Sequence, residues 1–302
     1  MSSSSSYEDF AHLKIPFKEI VSATNNFSDA NLIEESALMG KAYKGKLMRS
    51  NQQIDIVAQR FDHEHRDRVT EFLKEILKLK HKNLVSMFGF CDEVGMIIIY
   101  HEAKGSLDTF LRNPELTWMK RLQICVGVAY ALSYIYCDNP RDFSVIRCDI
   151  GSSKILLDDN WEPKLSGFEL SQKQTAAQRN ESLMSSFGKV LIEVLCGNMD
   201  VGNASFGALF ISKYEETRLD GMIDQGLWKQ MDPQSFRIFS EIAYYCLKEK
   251  PSQCPNIGVV VMELEKTVES QWRHERALIS HVSVEGTTSK NLEVINFFSF
   301  YR

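Results

Sequence analysis

A carboxylate held between two buried strands can accept a proton from a hydroxyl nucleophile, and Asp149 is the residue of this chain in that setting. It lies in the stretch 145–170, VIRCDIGSSKILLDDNWEPKLSGFEL. The apolar pieces Val145-Ile146 and Ile155-Leu156-Leu157 are short, β-branched or Leu-rich, and bounded by polar turn residues, as buried strands flanking a loop would be. Phosphoryl transfer needs more than a base, because cations must neutralise the phosphates and those cations need ligands. Other candidates for chemistry are weaker. His81 has no Cys, Asp or second His at catalytic spacing and reads as a local turn contact, and His63-x-His65 lacks the further ligands of a metal site. The seven cysteines are scattered, odd in number and without a C-x-x-C pair, so neither a disulfide framework nor a zinc site is indicated and a reducing compartment is expected.

The elements that must position Asp149 follow from periodicity. Phe17, Ile20, Val21 and Ala23 repeat at helical spacing, and Asn25 to Asp29 supply a stop, which predicts a short amphipathic helix. Residues 66–80 predict the strongest helix, with Val69, Phe72, Leu73, Ile76, Leu77 and Leu79 as its apolar stripe. Two strands around a turn at 91–95 are expected in 84–100. A long helix follows from a Thr117 cap through Tyr136, lined by Leu122, Cys125, Val126, Ala129, Leu132 and Ile135. At 302 residues, 44% apolar and 25% charged, the chain can form two lobes with their own cores. The net charge of −5 and pI near 5.9, with no basic face, exclude a nucleic-acid footprint. No apolar run reaches the length of a membrane span. Residues 1–6 read as disordered, with neither a secretory leader nor a myristoylation signal.

The loop around Asp149 resembles, position by position, the protein-kinase signature H-R-D-x-x-x-x-N followed by D-F-G, in which the first Asp is the base and the Asn and second Asp hold magnesium. Arg147 stands at the His position, Cys148 at the Arg, Asp149 at the catalytic Asp and Lys154 at the Asn, and Gly167-Phe168-Glu169 replaces D-F-G. Only Asp149 and Phe168 match. The run IPFKEIVSATNNFSDANLI ahead of Tyr43-Lys44-Gly45, and the pattern Leu116-x-Trp118-x-x-Arg121-Leu122-x-Ile124, are similar to plant receptor-like kinases of the malectin-receptor branch. The resemblance covers residues 15–272 and implies an α+β, bilobal protein-kinase-like fold. It places a small β-rich lobe with one regulatory helix at 15–101 and a larger helical lobe at 102–272. A disordered tail is expected at 1–14 and another tail at 273–302.

The same resemblance implies remnants of a nucleotide pocket. In the stretch 34–40 only Gly40 matches a phosphate-cradling glycine loop, and Glu34 and Glu35 would repel polyphosphate, so this stretch reads either as an ordinary hairpin or as a nucleotide lid. No Lys occurs between Lys46 and Lys74 to anchor phosphates. Matching the Arg-Phe-Asp end puts Gln59 at that position, whereas matching Val57-Ala58 puts Arg60 there. Glu75 matches the regulatory-helix Glu and, without a strand lysine, reads as a solvated helix charge. Ala42, Ala58, Tyr100 at the gatekeeper position, Ala103 in the hinge and Leu156 complete the pocket, the hinge backbone being able to face a base whatever its side chains.

Beyond Glu169, residues 171–174 lead almost directly to a buried helix around Ser186-Phe187-Gly188, without the G-T-x-G-Y or P-E-Y of a substrate platform. Leu183 or a neighbour takes the place of the Asp that ties this helix to the catalytic loop. Cys254-Pro255 replaces Arg-Pro, so both halves of a buried ion pair are absent together, a milder loss than that of one. The expected function is therefore that of a pseudokinase, a non-catalytic binding or regulatory module in signalling. Its implied partner is an active receptor-like kinase or other signalling protein, and its implied location is cytoplasmic or membrane-associated through that partner. No cofactor is expected for it. Mg-ATP enters only where residual nucleotide binding exists, and the alternatives are a weak ATP-dependent serine/threonine kinase and a degenerate product without activity.

Overall fold

Ser50 and Asn51 both take positive φ, 48° and 63°, as the two central residues of a tight hairpin do when the turn must follow the right-handed twist of its strands. This turn joins β2 (Gly40–Arg49) to β3 (Gln52–Arg60), with Arg49 opposite Gln52. The computed structural model describes residues 8–36, 40–61, 66–93, 96–100, 104–137, 146–170, 176–197, 205–248 and 255–284. With β1 (Leu32–Ser36), β4 (Met87–Cys91) and β5 (Met96–Tyr100), the hairpin forms an antiparallel sheet in the order β1-β2-β3-β5-β4.

The two faces of this sheet are covered differently. On the outer face Leu47, Ile56 and Ala58 join Ile15, Ile20 and Cys91 in a small apolar cluster. Its cover is α1 (Phe17–Ala23), which stops where Asn25, Asn26 and Phe27 turn left-handed at φ of 51° to 56°. Thr24, fully buried, holds that turn: its hydroxyl donates to the Ile20 carbonyl at 2.8 Å and accepts from the Phe27 N–H. Order begins before Ile15, contrary to the expected disordered tail. Residues 8–13 form a 3-10 helix, Ile15 N–H donates to the Phe90 carbonyl, and Lys14 pairs with Asp92. These residues are fixed because they pair with the edge strand β4, a contact that composition alone does not reveal.

Against the other side packs α2 (Arg66–Leu77), whose Phe72, Leu73, Ile76 and Leu77 enter a core running through Phe90 and Phe168 into the helical lobe. The helix ends three residues earlier than its periodicity predicts. Lys78 and Leu79 N–H groups bond to the carbonyls of Glu75 and Ile76, three residues back, so the last turn tightens.

In the second lobe β6 (Gly105–Ser106) precedes α3 (Leu107–Phe110) and α4 (Trp118–Tyr136), the last initiated by the Thr117 hydroxyl as predicted. Strands β7 (Ile146–Cys148), β8 (Ile155–Leu157), β9 (Pro163–Leu165) and β10 (Phe168–Leu170) form two small sheets, β10-β7 and β6-β8-β9. Helices α5 (Ala176–Cys196), α6 (Ser205–Glu215), α7 (Gln225–Trp228), α8 (Pro233–Leu247) and α9 (Ile257–Val284) complete the lobe. Helix α9 packs on α4 and α8, and α8 packs on α5. Two boundaries differ from expectation. Helix α5 begins ten residues ahead of Ser186, absorbing most of the stretch that separates Glu169 from that serine, and α9 continues past Gln271 to Val284. Arg121, 4% exposed, ties this lobe together: its guanidinium donates to the carbonyls of Leu116 at 2.9 Å, Val194 at 2.8 Å and Leu111 at 2.5 Å. Burial lowers its pKa to about 10, which leaves it charged at neutral pH.

Candidate functional site

The loop after β7 carries Asp149 and folds back on itself through a 3-10 turn at Ser152–Lys154 into β8. Strand β10 returns beside β7, with Phe168 opposite Cys148. The Asp149 N–H donates to the Gly167 carbonyl at 2.6 Å. A Cβ on Gly167 would lie 1.9 Å from the Asp149 carbonyl oxygen and 3.2 Å from the Lys154 Cβ. The two loops that should clasp a metal therefore touch backbone to backbone, at a distance only glycine permits. The Asp149 backbone makes that bond, and among the described residues no group bonds to its carboxylate.

Lys154 is held by its own backbone: its carbonyl accepts from the Ser166 N–H at 2.9 Å and hydroxyl at 3.0 Å. Its ammonium reaches across the cleft to the Glu34 carboxylate of β1. The two side chains are 20% and 46% exposed, so the pair contributes no more than about 1 kcal/mol. Its significance is positional, since a fixed cation and its counter-ion occupy the space between the glycine-loop position and the metal-ligand position. The sequence shows Glu34 as repulsive and Lys154 as a lost ligand. What it hides is that these two departures meet, 120 positions apart; opposite charges appearing at facing positions of one pocket were the signal.

Strand pairing decides between Gln59 and Arg60. Glu34, Ala42 and Gln59 lie opposite one another along one row of the sheet, and directly paired residues share a face. Glu34 points to Lys154, so this row, Gln59 included, faces the cleft. Ala58 and Arg60, one residue off, face outward by strand alternation. Ala58 is buried in the outer cluster and the Arg60 guanidinium lies 5.3 Å from the Phe27 ring centroid. Neither belongs to the pocket.

Gly40 has φ of +67°, and a Cβ there would sit 2.0 Å from the Arg60 carbonyl oxygen. It is glycine because β2 starts against β3, which is the hairpin reading. Glu75 pairs with Lys78 on its own helix end. Leu156, half-buried in β8, packs against the main core, and Tyr100 ends β5 with its backbone opposite Ile56. Ala103 lies outside the described residues, as do 62–65, which hold the His63-x-His65 pair. His81 makes the expected turn contact, its Nδ1 accepting from the Asn83 N–H, and stacks on Tyr134. Among the described residues no group of His, Cys, Asp and Glu side chains could hold a metal, and no helix is long and apolar enough to cross a membrane.

The sequence matches the protein tyrosine and serine/threonine kinase family over residues 34–264. The chain belongs to that family. Among curated relatives it is 31% identical to the receptor-like protein kinase HERK 1 and 29% identical to the receptor-like protein kinase FERONIA, both of Arabidopsis thaliana. The alignments take in 86% and 84% of this chain but 35% and 32% of those proteins, so the chain spans about a third of the length of these relatives. Two solved structures share the fold at 21% identity each. A pseudokinase in its apo form has a TM-score of 0.68 over 85% of this chain and 94% of its own, and the pseudokinase DRIK1 (drought responsive inactive kinase 1) bound to ENMD-2076 has 0.65 over 85% and 96%. Kinases normally use Mg-ATP. The residues here do not fit that group, because Lys154 and Gly167 replace both metal ligands and an ion pair lies where the phosphates would approach.

One site residue escaped sequence reasoning. Glu193 of α5 receives hydrogen bonds from the Ser152 hydroxyl and N–H beneath the Asp149 loop, while its Oε2 is buried without a hydrogen bond among the described residues. Burial raises its pKa, opposed by the Ser152 bonds and assisted by the nearby Asp108 carboxylate. A carboxyl whose folded pKa is raised above the unfolded value loses stability on ionisation. The penalty is absent below the unfolded pKa and complete above the folded one. Glu193→Gln is therefore expected to gain on the parent as pH rises from 4 to 8. Urea unfolding of both proteins across that range measures it, and a constant gap would refute the assignment.

Proposed function

We propose that this kinase-family chain is a non-catalytic binding module, a pseudokinase. The observation that carries the reading is the Lys154–Glu34 pair together with the Gly167–Asp149 backbone contact, which fill the metal and phosphate positions with the protein's own groups. Catalysis needs metal ligands, phosphate anchor and base together, and only Asp149 is in place. The mutual fit of the replacements supports a settled, folded role over a decayed product. The similarity to HERK 1 and FERONIA supports a cytoplasmic place beside an active receptor-like kinase, with any membrane association supplied by that partner.

Phosphate incorporation from labelled Mg-ATP, into the chain or a generic protein substrate, is expected at background for both the parent and Asp149→Asn. Incorporation by the parent that the variant loses would establish a weak kinase instead. Nucleotide at 100 times its Kd would stabilise the fold by about 2.7 kcal/mol, a readily measured shift; because the proposed module does not bind it, a thermal-shift titration with millimolar Mg-ATP is expected to be flat. For the partner, the immobilised chain should retain a receptor-like kinase domain from plant extract; retention of none removes that part of the reading.

A further inference from the structure

Helices α8 and α9 diverge to leave a groove of about 450 Å³ walled by Ile238, Ile242, Tyr245 and Val259, within the ~300–1,000 Å³ typical of ligand pockets. Tyr245 and Val259 are 40% and 41% exposed, and Met262, one turn along α9 from Val259, is 53% exposed. Apolar side chains of this size clustered around one opening mark an interaction site. The charged residues that line the groove are Glu241 on the α8 wall and Glu263 on the α9 wall, both acids. Among the described residues each is paired along its own helix, with Arg237 at 3.4 Å and Lys266 at 2.6 Å. Such exposed pairs are weak and exchange readily for an incoming cation.

We propose that this groove docks a basic segment of a protein partner, seating a lysine or arginine side chain. The methylene stem lies along Ile238, Ile242 and Val259, the cation meets Glu241 and Glu263, and Tyr245 covers the stem. Lysine and arginine alone among side chains combine a long apolar stem with a cationic head, which is the pattern of these walls. The volume accommodates that side chain together with the neighbouring backbone. The proposal is independent of whether the cleft is catalytic.

Fluorescence anisotropy of the full chain with a labelled peptide of alternating lysine and leucine tests it. Glu241→Gln with Glu263→Gln is expected to weaken binding at least about tenfold. Glu115→Gln with Glu216→Gln, which removes two exposed carboxylates elsewhere, should change it less than about twofold. Tyr245→Ala should also weaken it. Equal loss in the two double variants would mean general attraction to a chain of net charge −5 and overturn the proposal. So would absence of binding, or equal binding of the matching glutamate–leucine peptide.

Discussion

Arg121→Met is expected to cost the fold about 3–5 kcal/mol, among the largest effects of any single change in this chain. The guanidinium satisfies three buried carbonyls that belong to separate pieces of the large lobe: Leu116 before α4, Val194 in α5 and Leu111 after α3. Methionine keeps most of the volume and supplies no donor, so each carbonyl is left without its bond at about 1–3 kcal/mol apiece before relaxation. Arg121→Lys should recover part of the loss, because an ammonium can reach one or two of the three but cannot form the fork. Urea unfolding at constant m-value measures both. A cost below about 1 kcal/mol for the methionine variant would mean that water replaces the guanidinium, which the 4% exposure of Arg121 argues against.

The second large effect concerns the restoration of the missing metal ligand. Gly167→Asp with Lys154→Asn rewrites both positions to the kinase residues, yet it is expected to destabilise the chain by about 3 kcal/mol or more and to give no phosphoryl transfer. A side chain at 167 must push its Cβ away from the Asp149 carbonyl oxygen, now 1.9 Å distant, and in doing so breaks the Asp149 N–H bond to Gly167. Gly167→Ala isolates that steric term and should carry most of the loss. Lys154→Asn alone removes an exposed ion pair and should fall within about 1 kcal/mol of the parent. Thermal melts of the three variants decide the matter, and a Gly167→Ala protein as stable as the parent would show that the two loops can separate cheaply. On the proposed reading, the asymmetry places the loss of catalysis in the backbone, beyond the reach of side-chain reversion.

Much of the fold is written locally. The Phe72, Leu73, Ile76 and Leu77 part of the α2 stripe, the Thr117 cap of α4 and the stop at Asn25 each follow from a few adjacent residues, and the structure places them where those residues predict. The loss of both metal ligands was equally legible, since it needs only the position of Lys154 and Gly167 relative to Asp149. What escaped is long-range. The register of β3 decides whether Gln59 or Arg60 faces the cleft, and a one-residue ambiguity in a strand exchanges its two faces completely. The early start of α5 and the order of residues 8–13 depend on packing against elements far away in sequence. The meeting of Lys154 with Glu34, and of Glu193 with Ser152, needs the lobes to be assembled first.

The segment formed by residues 8–27 has a consequence for solubility. Its Ile15, Ile20, Phe17 and Phe27 shield Leu47, Ile56 and Ala58 of the outer sheet face. A fragment cut to begin at β1 would bare that face and, with it, the β4 edge that now bonds Ile15, giving neighbouring molecules both an apolar surface and an open strand to pair with. The short stretch ahead of the sheet thus behaves as an intramolecular guard against self-association.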